Sequence, residues 1–304
     1  MTIYNAIGSN KRKTWFLMIF FMLFFLGVSY VLGRALGYGM SFVGIMLIIS
    51  GLMNWVSYYY SDKIVLSMSG ARPADEHEHR DLIESVENLA IASGLPKPKV
   101  YVVNDPAPNA FATGRDPKHA AVCATTGILE KLSKSELEGV IGHELSHVKN
   151  FDTRLMGVVS ILAGSIVILA DFFMRSLWWG GFGGRDRDRE GSSGNGLFLV
   201  IGLVAAILAP IAATLIQLAI SRRREILADA DGALLTRYPE GLARALEKIS
   251  SDRNVLKHAS NATAHLYIEN PFKTDTGRKT TSFLAGLFST HPPIEERIKI
   301  LRSM

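Results

Sequence analysis

Four apolar segments interrupt the otherwise polar pattern of the chain, at residues 14–32, 39–56, 155–174 and 197–220. Each is long enough to cross about 30 Å of hydrocarbon as a helix that rises about 1.5 Å per residue. The pattern predicts two membrane hairpins. Because the later pair contains Asp171, Pro210 and Gln217, buried amphipathic helices or a re-entrant hairpin remain alternatives for that pair.

Between these hairpins the chain is polar enough for a soluble domain in two pieces. We expect a first membrane hairpin in residues 1–56 and the first piece of the domain in 57–154. The second hairpin then occupies 155–220, and 221–304 completes the domain. The predicted fold class is therefore a mainly α membrane protein with four transmembrane helices and an α+β domain that contains a small sheet.

Local patterns predict elements within the first soluble piece. Apolar spacing indicates a helix over 74–93, ending at Gly94, and short apolar runs indicate strands at 99–103 and 120–124. A second helix is predicted over 133–148, where Ser133 and Glu136 have the spacing of a capping box.

Composition supports this division and restricts the function. With 48% apolar and 20% charged residues, the chain fits a membrane part joined to a soluble part. The net charge of +5 comes from basic residues that flank the spans, such as 11–13 and 222–224, which indicates orientation in a membrane and no nucleic-acid partner. Those residues place the soluble domain in the cytoplasm. The single cysteine, Cys123, excludes an internal disulfide and is interpreted as a core residue.

The predicted helix over 133–148 contains the sequence His-Glu-Leu-Ser-His. Its two histidines, His143 and His147, are four residues apart and therefore lie on one helical face, where both can bind one zinc ion. Glu144 is offset around the helix, so it can act on a water molecule without being a ligand. This spacing predicts a zinc site with Glu144 as the catalytic base.

A catalytic zinc needs a third protein ligand. A compact site would have a glycine three residues and a histidine six residues after His147, but those positions hold Asn150 and Thr153, so the ligand has to come from elsewhere. After the fourth span, Glu225 and Asp229 share one face of a predicted helix. Glu225 is the expected ligand, and Asp229 is expected to accept the N–H of a ligand imidazole. Two spans separate His147 from Glu225, so both return to the same side of the membrane.

Together these residues resemble the HtpX family of membrane zinc metalloproteases, which are relatives of the CAAX prenyl proteases. The resemblance covers nearly the whole chain and rests on the four spans and on four motifs, at 108–114, 143–147, 221–229 and 289–293. Ile226 departs from the pattern, since an aromatic residue is common there. The resemblance implies a zincin-type (gluzincin-like) endopeptidase of the cell membrane, with one zinc ion and misfolded membrane proteins as substrates during stress.

Two further roles are expected. By resemblance to the relatives, His291 is a candidate donor to the oxyanion, with a plain turn histidine before Pro292 as the alternative. The segment formed by Asn109, Ala110, Phe111, Ala112 and Thr113 is expected either to pair with extended substrate as an edge strand or to be an ordinary core strand.

Two other functions fit part of the sequence. An intramembrane protease of the site-2 type would bury the His143 helix in lipid and take its third ligand from Asp231, but polar neighbours such as Lys134 and Asn150 argue against burial. A non-enzymatic membrane adaptor with a structural zinc would need four protein ligands, and the sequence offers no evident fourth.

Overall fold

The computed structural model describes residues 3–35, 40–182, 222–256, 263–269 and 292–304. Its first two helices, α1 (Ile3–Ala35) and α2 (Met40–Tyr59), pack against each other as a hairpin. Among the described residues, Ile7–Val31 of α1 and Met40–Tyr59 of α2 are each long and apolar enough to cross a membrane. The first two apolar segments therefore form helices of the expected length and hydropathy.

The third apolar segment lies within a long helix, α7 (Asp152–Phe182). This helix directly follows α6 (Lys134–Lys149), and the two axes differ by 81°. Phe151, at the bend, has a φ of 60°, which is uncommon for a residue with a side chain. Helix α6 and residues Asp152–Ile168 of α7 are together long and apolar enough to cross a membrane, but only if they are counted as one bent helix. The fourth predicted span, 197–220, lies outside the described residues.

A sheet of four short strands lies beside these helices. The strands are β1 (Arg72–Pro73), β2 (Lys99–Val103), β3 (Ala110–Thr113) and β4 (Ala121–Thr125), in the order β1-β2-β4-β3. The central strands β2 and β4 are parallel, and both outer strands are antiparallel to their neighbours. The two predicted strands are thus present to within one residue, and β3 lies at an edge of the sheet.

The remaining helices of the described chain are short. They are α3 (Ser61–Met68), α4 (Arg80–Ser93), α5 (Thr126–Lys131), α8 (Arg222–Thr236), α9 (Pro239–Ser251) and α10 (Ile294–Leu301), with 3-10 turns at Pro117–His119 and Ala264–Leu266. Helix α6 contains the predicted capping box, in which Glu136 Oε2 accepts the Ser133 N–H at 2.7 Å.

Helix α4 begins later than the sequence predicts. Residue 74 was expected to start it, but the first helical residue is Arg80. Asp75 explains the difference, because its carboxylate accepts the backbone N–H groups of His77 and Glu78 and closes a turn there. The end is as predicted, since Gly94 adopts the left-handed conformation with a φ of 71°.

The apolar core fills both faces of the sheet. On one face, residues of α4, α6 and α9 pack against the strands around Val122 and Ala124. On the other, Phe111 and Cys123 pack with α3 and Tyr267. Cys123 is only 1% exposed, as expected of a core residue. Helices α8, α9 and α10 pack together, and α8 and α9 contact α6, so segments from before and after the third apolar segment meet in one packed unit.

Candidate metal centre

The two histidines of α6 lie inside the molecule. His143 is fully buried and His147 is 4% exposed. Their Nε2 atoms are 3.2 Å apart and the ring planes are perpendicular. The i, i+4 spacing on an α-helix accounts for this approach, because it puts both imidazoles on one face a turn apart.

Helix α8 brings a carboxylate to the same point. It crosses α6 at Gly142 and Gly232, where an added Cβ on Gly232 would lie 2.8 Å from the backbone nitrogen of His143. This close backbone contact puts Glu225 beside the imidazoles: its oxygens lie 3.8 Å from His143 Nε2 and 3.6 Å from His147 Nε2. Glycine at both positions allows this approach, because it carries no Cβ.

Each imidazole is held from behind by a further carboxylate. Asp229 Oδ1 lies 2.8 Å from His143 Nδ1, and Asp152 Oδ2 lies 3.1 Å from His147 Nδ1. A carboxylate at Nδ1 selects the tautomer that has its hydrogen there, which leaves a lone pair on Nε2. Both Nε2 lone pairs and the Glu225 carboxylate are therefore directed into one small volume.

That donor set fits a zinc ion. The ligand atoms of His143, His147 and Glu225 all lie within 4.8 Å of one another, and two histidines with one carboxylate are a common set for catalytic zinc. Two nitrogens bound to one zinc at tetrahedral angles would lie roughly 3.3 Å apart, close to the spacing seen here. Three like electron-rich groups repel one another unless a cation lies between them.

The charges around His147 also favour a cation. Burial alone would lower the pKa of His147, but its hydrogen bond to Asp152 and the nearby Glu225 outweigh burial and raise that pKa to about 9. A raised pKa means that the surroundings stabilise positive charge at the imidazole. The carboxylates around His147 therefore favour positive charge there, whereas burial lowers the pKa of His143.

A buried arginine completes the support of His143. Arg297 of α10 is fully buried and donates to both oxygens of Asp229, from Nε at 2.8 Å and from Nη2 at 2.7 Å. Although burial raises the pKa of Asp229, the charge of Arg297 and its hydrogen bonds lower it overall. Asp229 therefore remains ionised beside His143.

Sequence reasoning missed both Arg297 and Asp152. A signal for Arg297 existed, because it occupies a position on the apolar face of α10 formed by Ile294, Ile298 and Leu301, and a lone charge on such a face needs a buried partner. For Asp152 no spacing rule was available. It reaches back to His147 only because the chain bends at Phe151.

Glu144 lies beside this cluster and is 2% exposed. Burial raises the pKa of its carboxyl group to about 7, against the opposing charge of His147. The nearby backbone N–H of Ala112 on β3 also opposes the rise of this pKa. A glutamate with a pKa near neutrality can accept and release a proton under physiological conditions.

The hydrogen bonds of β3 explain why Ala112 faces Glu144. Thr125 of β4 donates its N–H to Asn109 O at 3.0 Å, so Asn109 directs its backbone oxygen toward β4. In an antiparallel pair, the backbone groups of successive residues point alternately toward the neighbouring strand and away from it. Ala110 and Ala112 therefore direct their backbone groups to the outer side. Ile268 donates to Ala110 O there at 3.1 Å, and Asn109 Nδ2 donates to Glu269 O at 3.0 Å. Of the suggested substrate strand, Ala112 is the position next to Glu144.

The other predicted residues are distributed as follows. Asp231 lies away from the imidazole Nε2 atoms, and its Oδ2 accepts from Ser146 Oγ at 3.0 Å and contacts Asn150 Nδ2 at 3.4 Å. Phe111 and Thr113 are buried in β3. His291 lies outside the described residues.

Known proteins share sequence and fold with this chain. The model of peptidase family M48 matches residues 76–304. A Protease HtpX homolog of Caldanaerobacter subterraneus subsp. tengcongensis is 48% identical over 303 residues, covering 100% of this chain and 98% of the relative. A Protease HtpX homolog of Streptococcus gordonii is 44% identical over 308 residues, covering 99% and 100%.

Among solved structures, the crystal structure of S. mikatae Ste24p superposes with a TM-score of 0.51 and covers 98% of this chain and 67% of that one. At 17% identity this is a likeness of fold. The family model and the full-length relatives agree with the resemblance identified from the motifs. The chain therefore belongs to peptidase family M48 and is a membrane protease of the HtpX type.

Proposed function

We propose that this protease is a zinc-dependent endopeptidase that hydrolyses peptide bonds of misfolded or damaged membrane proteins as part of a stress response. The observation that carries the proposal is the convergence of His143, His147 and Glu225 next to the buried Glu144. A metal site beside a glutamate whose pKa is raised to about 7 is an arrangement suited to hydrolysis.

His143, His147 and Glu225 would hold one zinc ion per chain, with Asp229 fixing the orientation of His143. When bound, zinc polarises the scissile carbonyl and lowers the pKa of water. Glu144 accepts the proton of the attacking water and then transfers it to the leaving amine. Because Glu144 is buried, its protonated and ionised forms are close in free energy, which suits both steps.

The substrate would bind along β3. An extended peptide that pairs with the outer edge at Ala112 would make main-chain hydrogen bonds, which impose little side-chain selectivity. Asn109, Ala110, Phe111 and Thr113 would support that strand through their contacts with β4 and with residues 267–269. We assign His291 as a further donor to the oxyanion.

For the membrane arrangement, we propose four spans and a cytoplasmic, zincin-type catalytic domain in the cell membrane. The domain would comprise 57–154 and 221–304, with hairpins at 1–56 and 155–220. The packing of α6 against α8 and α9 supports a domain assembled from both pieces. Basic residues that flank the spans on one side support the cytoplasmic orientation.

The two alternative functions have less support. Asp231 would be the third ligand in a site-2 type protease. Its carboxylate instead accepts a hydrogen bond from Ser146 Oγ, away from the Nε2 atoms. A structural zinc in an adaptor requires four protein ligands, whereas the described residues bring together three.

The test compares full-length wild type with Glu144→Gln in metal content and in cleavage of a denatured protein. We expect one zinc per chain in both and a rate about 10²–10⁴-fold lower in the variant, because the base is lost and the ligands are kept. Glu138→Gln, on the same helix, is the control and should cleave as wild type does. Undiminished cleavage by Glu144→Gln would remove Glu144 as the base.

The ligand set is tested separately. Glu225→Ala should lose zinc, because two imidazoles alone hold the ion weakly. Asp231→Ala should keep it, since this carboxylate contacts Ser146 and Asn150. Zinc loss in Asp231→Ala with retention in Glu225→Ala would contradict the assignment.

A further inference from the structure

A polar side chain of the first membrane helix reaches the interior of the metal-binding region. Asn10 of α1 is 2% exposed. Its Nδ2 donates to Asp152 Oδ1 at 2.6 Å and to the backbone oxygen of Asn150 at 3.0 Å. Its Oδ1 accepts from Arg224 Nη1 at 2.9 Å. Every polar atom of this side chain therefore has a partner.

The surroundings allow only one orientation of the Asn10 amide. Two acceptors, Asp152 and the carbonyl of Asn150, lie on the Nδ2 side, and the guanidinium of Arg224 lies on the Oδ1 side. A flipped amide would place its oxygen against a carboxylate and its NH2 against a cation. The hydrogen-bond network thus fixes the direction of the amide dipole.

The partners of Asn10 are the ends of the helices that carry the metal ligands. Asn150 caps the C-terminus of α6, three residues after His147. Asp152 lies in the first turn of α7 and holds His147 through Nδ1 at 3.1 Å. Arg224 directly precedes Glu225 on α8 and also approaches Asp152 Oδ1, at 3.4 Å. One amide group therefore touches three helix ends around the site.

We propose that Asn10 is a positioning residue of the metal centre. By holding Asp152 and Arg224 in fixed places, it sets the direction of the His147 imidazole and the position of Glu225 relative to it. The inference rests on the proposed zinc site and extends it to a helix outside residues 76–304, which the family model matches. The membrane hairpin is then part of the catalytic apparatus as well as an anchor.

The physical basis is the sensitivity of a metal site to the groups behind its ligands. Loss of a hydrogen-bond partner of a ligand costs about 10–100-fold in metal affinity or activity. Asn10 is one hydrogen bond further from the metal, because it acts on His147 through Asp152. We therefore expect its effect on metal affinity at the lower end of that range. Because the path runs through a buried network, solvent does not replace the lost contacts freely.

The experiment uses the full-length chain in detergent micelles with Asn10→Asp and Asn10→Ala. Asn10→Asp has the same shape but directs a carboxylate oxygen at Asp152 Oδ1, whereas Asn10→Ala only removes the amide. Thr14→Val is the matched control: Thr14 is buried one turn later in α1 and hydrogen-bonds only the backbone oxygen of Asn10 among the described contacts.

Three quantities are measured: zinc affinity in competition with a chromogenic chelator, the visible spectrum of the Co²⁺-loaded protein, and kcat and KM separately. We expect Asn10→Asp to weaken zinc binding about tenfold, to change the Co²⁺ spectrum and to lower kcat with KM unchanged. Asn10→Ala should show the same changes to a smaller degree. A residue that only anchored α1 would leave the Co²⁺ spectrum unaltered.

The outcomes separate this inference from the function on which it rests. Wild-type zinc affinity and an unchanged Co²⁺ spectrum in both Asn10 variants would overturn the positioning role and leave the zinc site in place. An equal loss in Thr14→Val would also overturn it, because packing of α1 in general would then be the cause. A wild-type chain that binds no zinc would overturn both proposals.

Discussion

Arg297 and Asp229 form a two-point ion pair directly behind the imidazole of His143. Neither side chain is more than 2% exposed, and Asp229 Oδ1, which accepts from Arg297 Nη2 at 2.7 Å, also lies 2.8 Å from His143 Nδ1. The pair links α10 to α6 through α8. Stability and the proposed metal binding therefore both involve the Asp229 carboxylate, and substitutions can separate the two.

Removing the arginine should destabilise the protein strongly. Arg297→Met leaves Asp229 buried without its cation, for which we expect the free energy of unfolding to fall by about 3–5 kcal/mol. Denaturant unfolding in detergent measures the change. Arg302→Met is the control, because Arg302 pairs with Glu240 and Glu247 at the surface, where solvent screens the charges, and this substitution should cost far less. Equal losses would contradict the buried role of Arg297.

Replacing both partners should restore stability without restoring metal binding. A buried ion pair exchanged for apolar residues of similar volume is often neutral in stability, so Arg297→Met with Asp229→Leu should be more stable than Arg297→Met alone. His143 then lacks its acceptor at Nδ1, and zinc affinity should fall about 10–100-fold. Unfolding curves and a zinc titration on the same samples test this. Wild-type zinc affinity in the double variant would exclude Asp229 as a support of His143.

The contact between α6 and α8 should not tolerate a methyl group. In Gly232→Ala the new Cβ would lie 2.8 Å from the backbone nitrogen of His143 and 3.0 Å from the carbonyl carbon of Gly142, so the helices have to separate. We expect a loss of about 1–3 kcal/mol and weaker zinc binding, because Glu225 moves with α8. Leu234→Ala, at a position 76% exposed on the same helix, should change stability by less than about 0.5 kcal/mol.

The start of α6 should contribute stability that depends on pH. Burial alone would raise the pKa of Glu136, but hydrogen bonds from Lys248 and from the Ser133 N–H, with the charge of Lys248, lower it overall. A carboxyl whose pKa is lower in the folded state stabilises the fold above its unfolded pKa of about 4.3, and the contribution is lost as pH falls through the folded value.

Glu136→Gln keeps the acceptor for the Ser133 N–H and loses the charge opposite Lys248, which is 2.6 Å away. It should therefore be less stable than wild type at neutral pH, and the difference should shrink as pH falls below about 4. Thermal unfolding at several pH values measures this, with Glu138→Gln as the control. A difference that grew on acidification would reverse the sign and refute the lowered pKa.

Local patterns were sufficient for the elements that depend on neighbouring residues. The capping box of Ser133, the stop at Gly94 and the two central strands follow from spacing and propensity alone. The i, i+4 pair of His143 and His147 is of the same kind, because the helix itself brings them together.

Contacts between distant segments were predictable only where a proposed metal ion needed a further ligand or a ligand needed a hydrogen-bond acceptor. The need for a third ligand led to Glu225, and the need of an imidazole N–H for an acceptor led to Asp229. Asp152, Arg297 and Asn10 were missed because their roles depend on the bend at Phe151 and on how α1 and α10 pack. The position of Arg297 on the apolar face of α10 indicated that it needs a buried partner, but which partner it meets, and the contacts of Asp152 and Asn10, are properties of tertiary structure.

The candidate site depends on contacts between residues that are far apart in the sequence, and this affects when it forms during folding. Asn10 and Arg224, which bond each other, are 214 positions apart in the chain, and Asp229 and Arg297 are 68 apart. Contacts between such distant residues form slowly, because closing a long loop costs entropy before any contact repays it. A partly folded copy can hold the two histidines of α6 and the nearby Asp152 but lacks Glu225 and Asp229. The complete candidate site, and with it the proposed hydrolytic activity, therefore exists only in the folded chain.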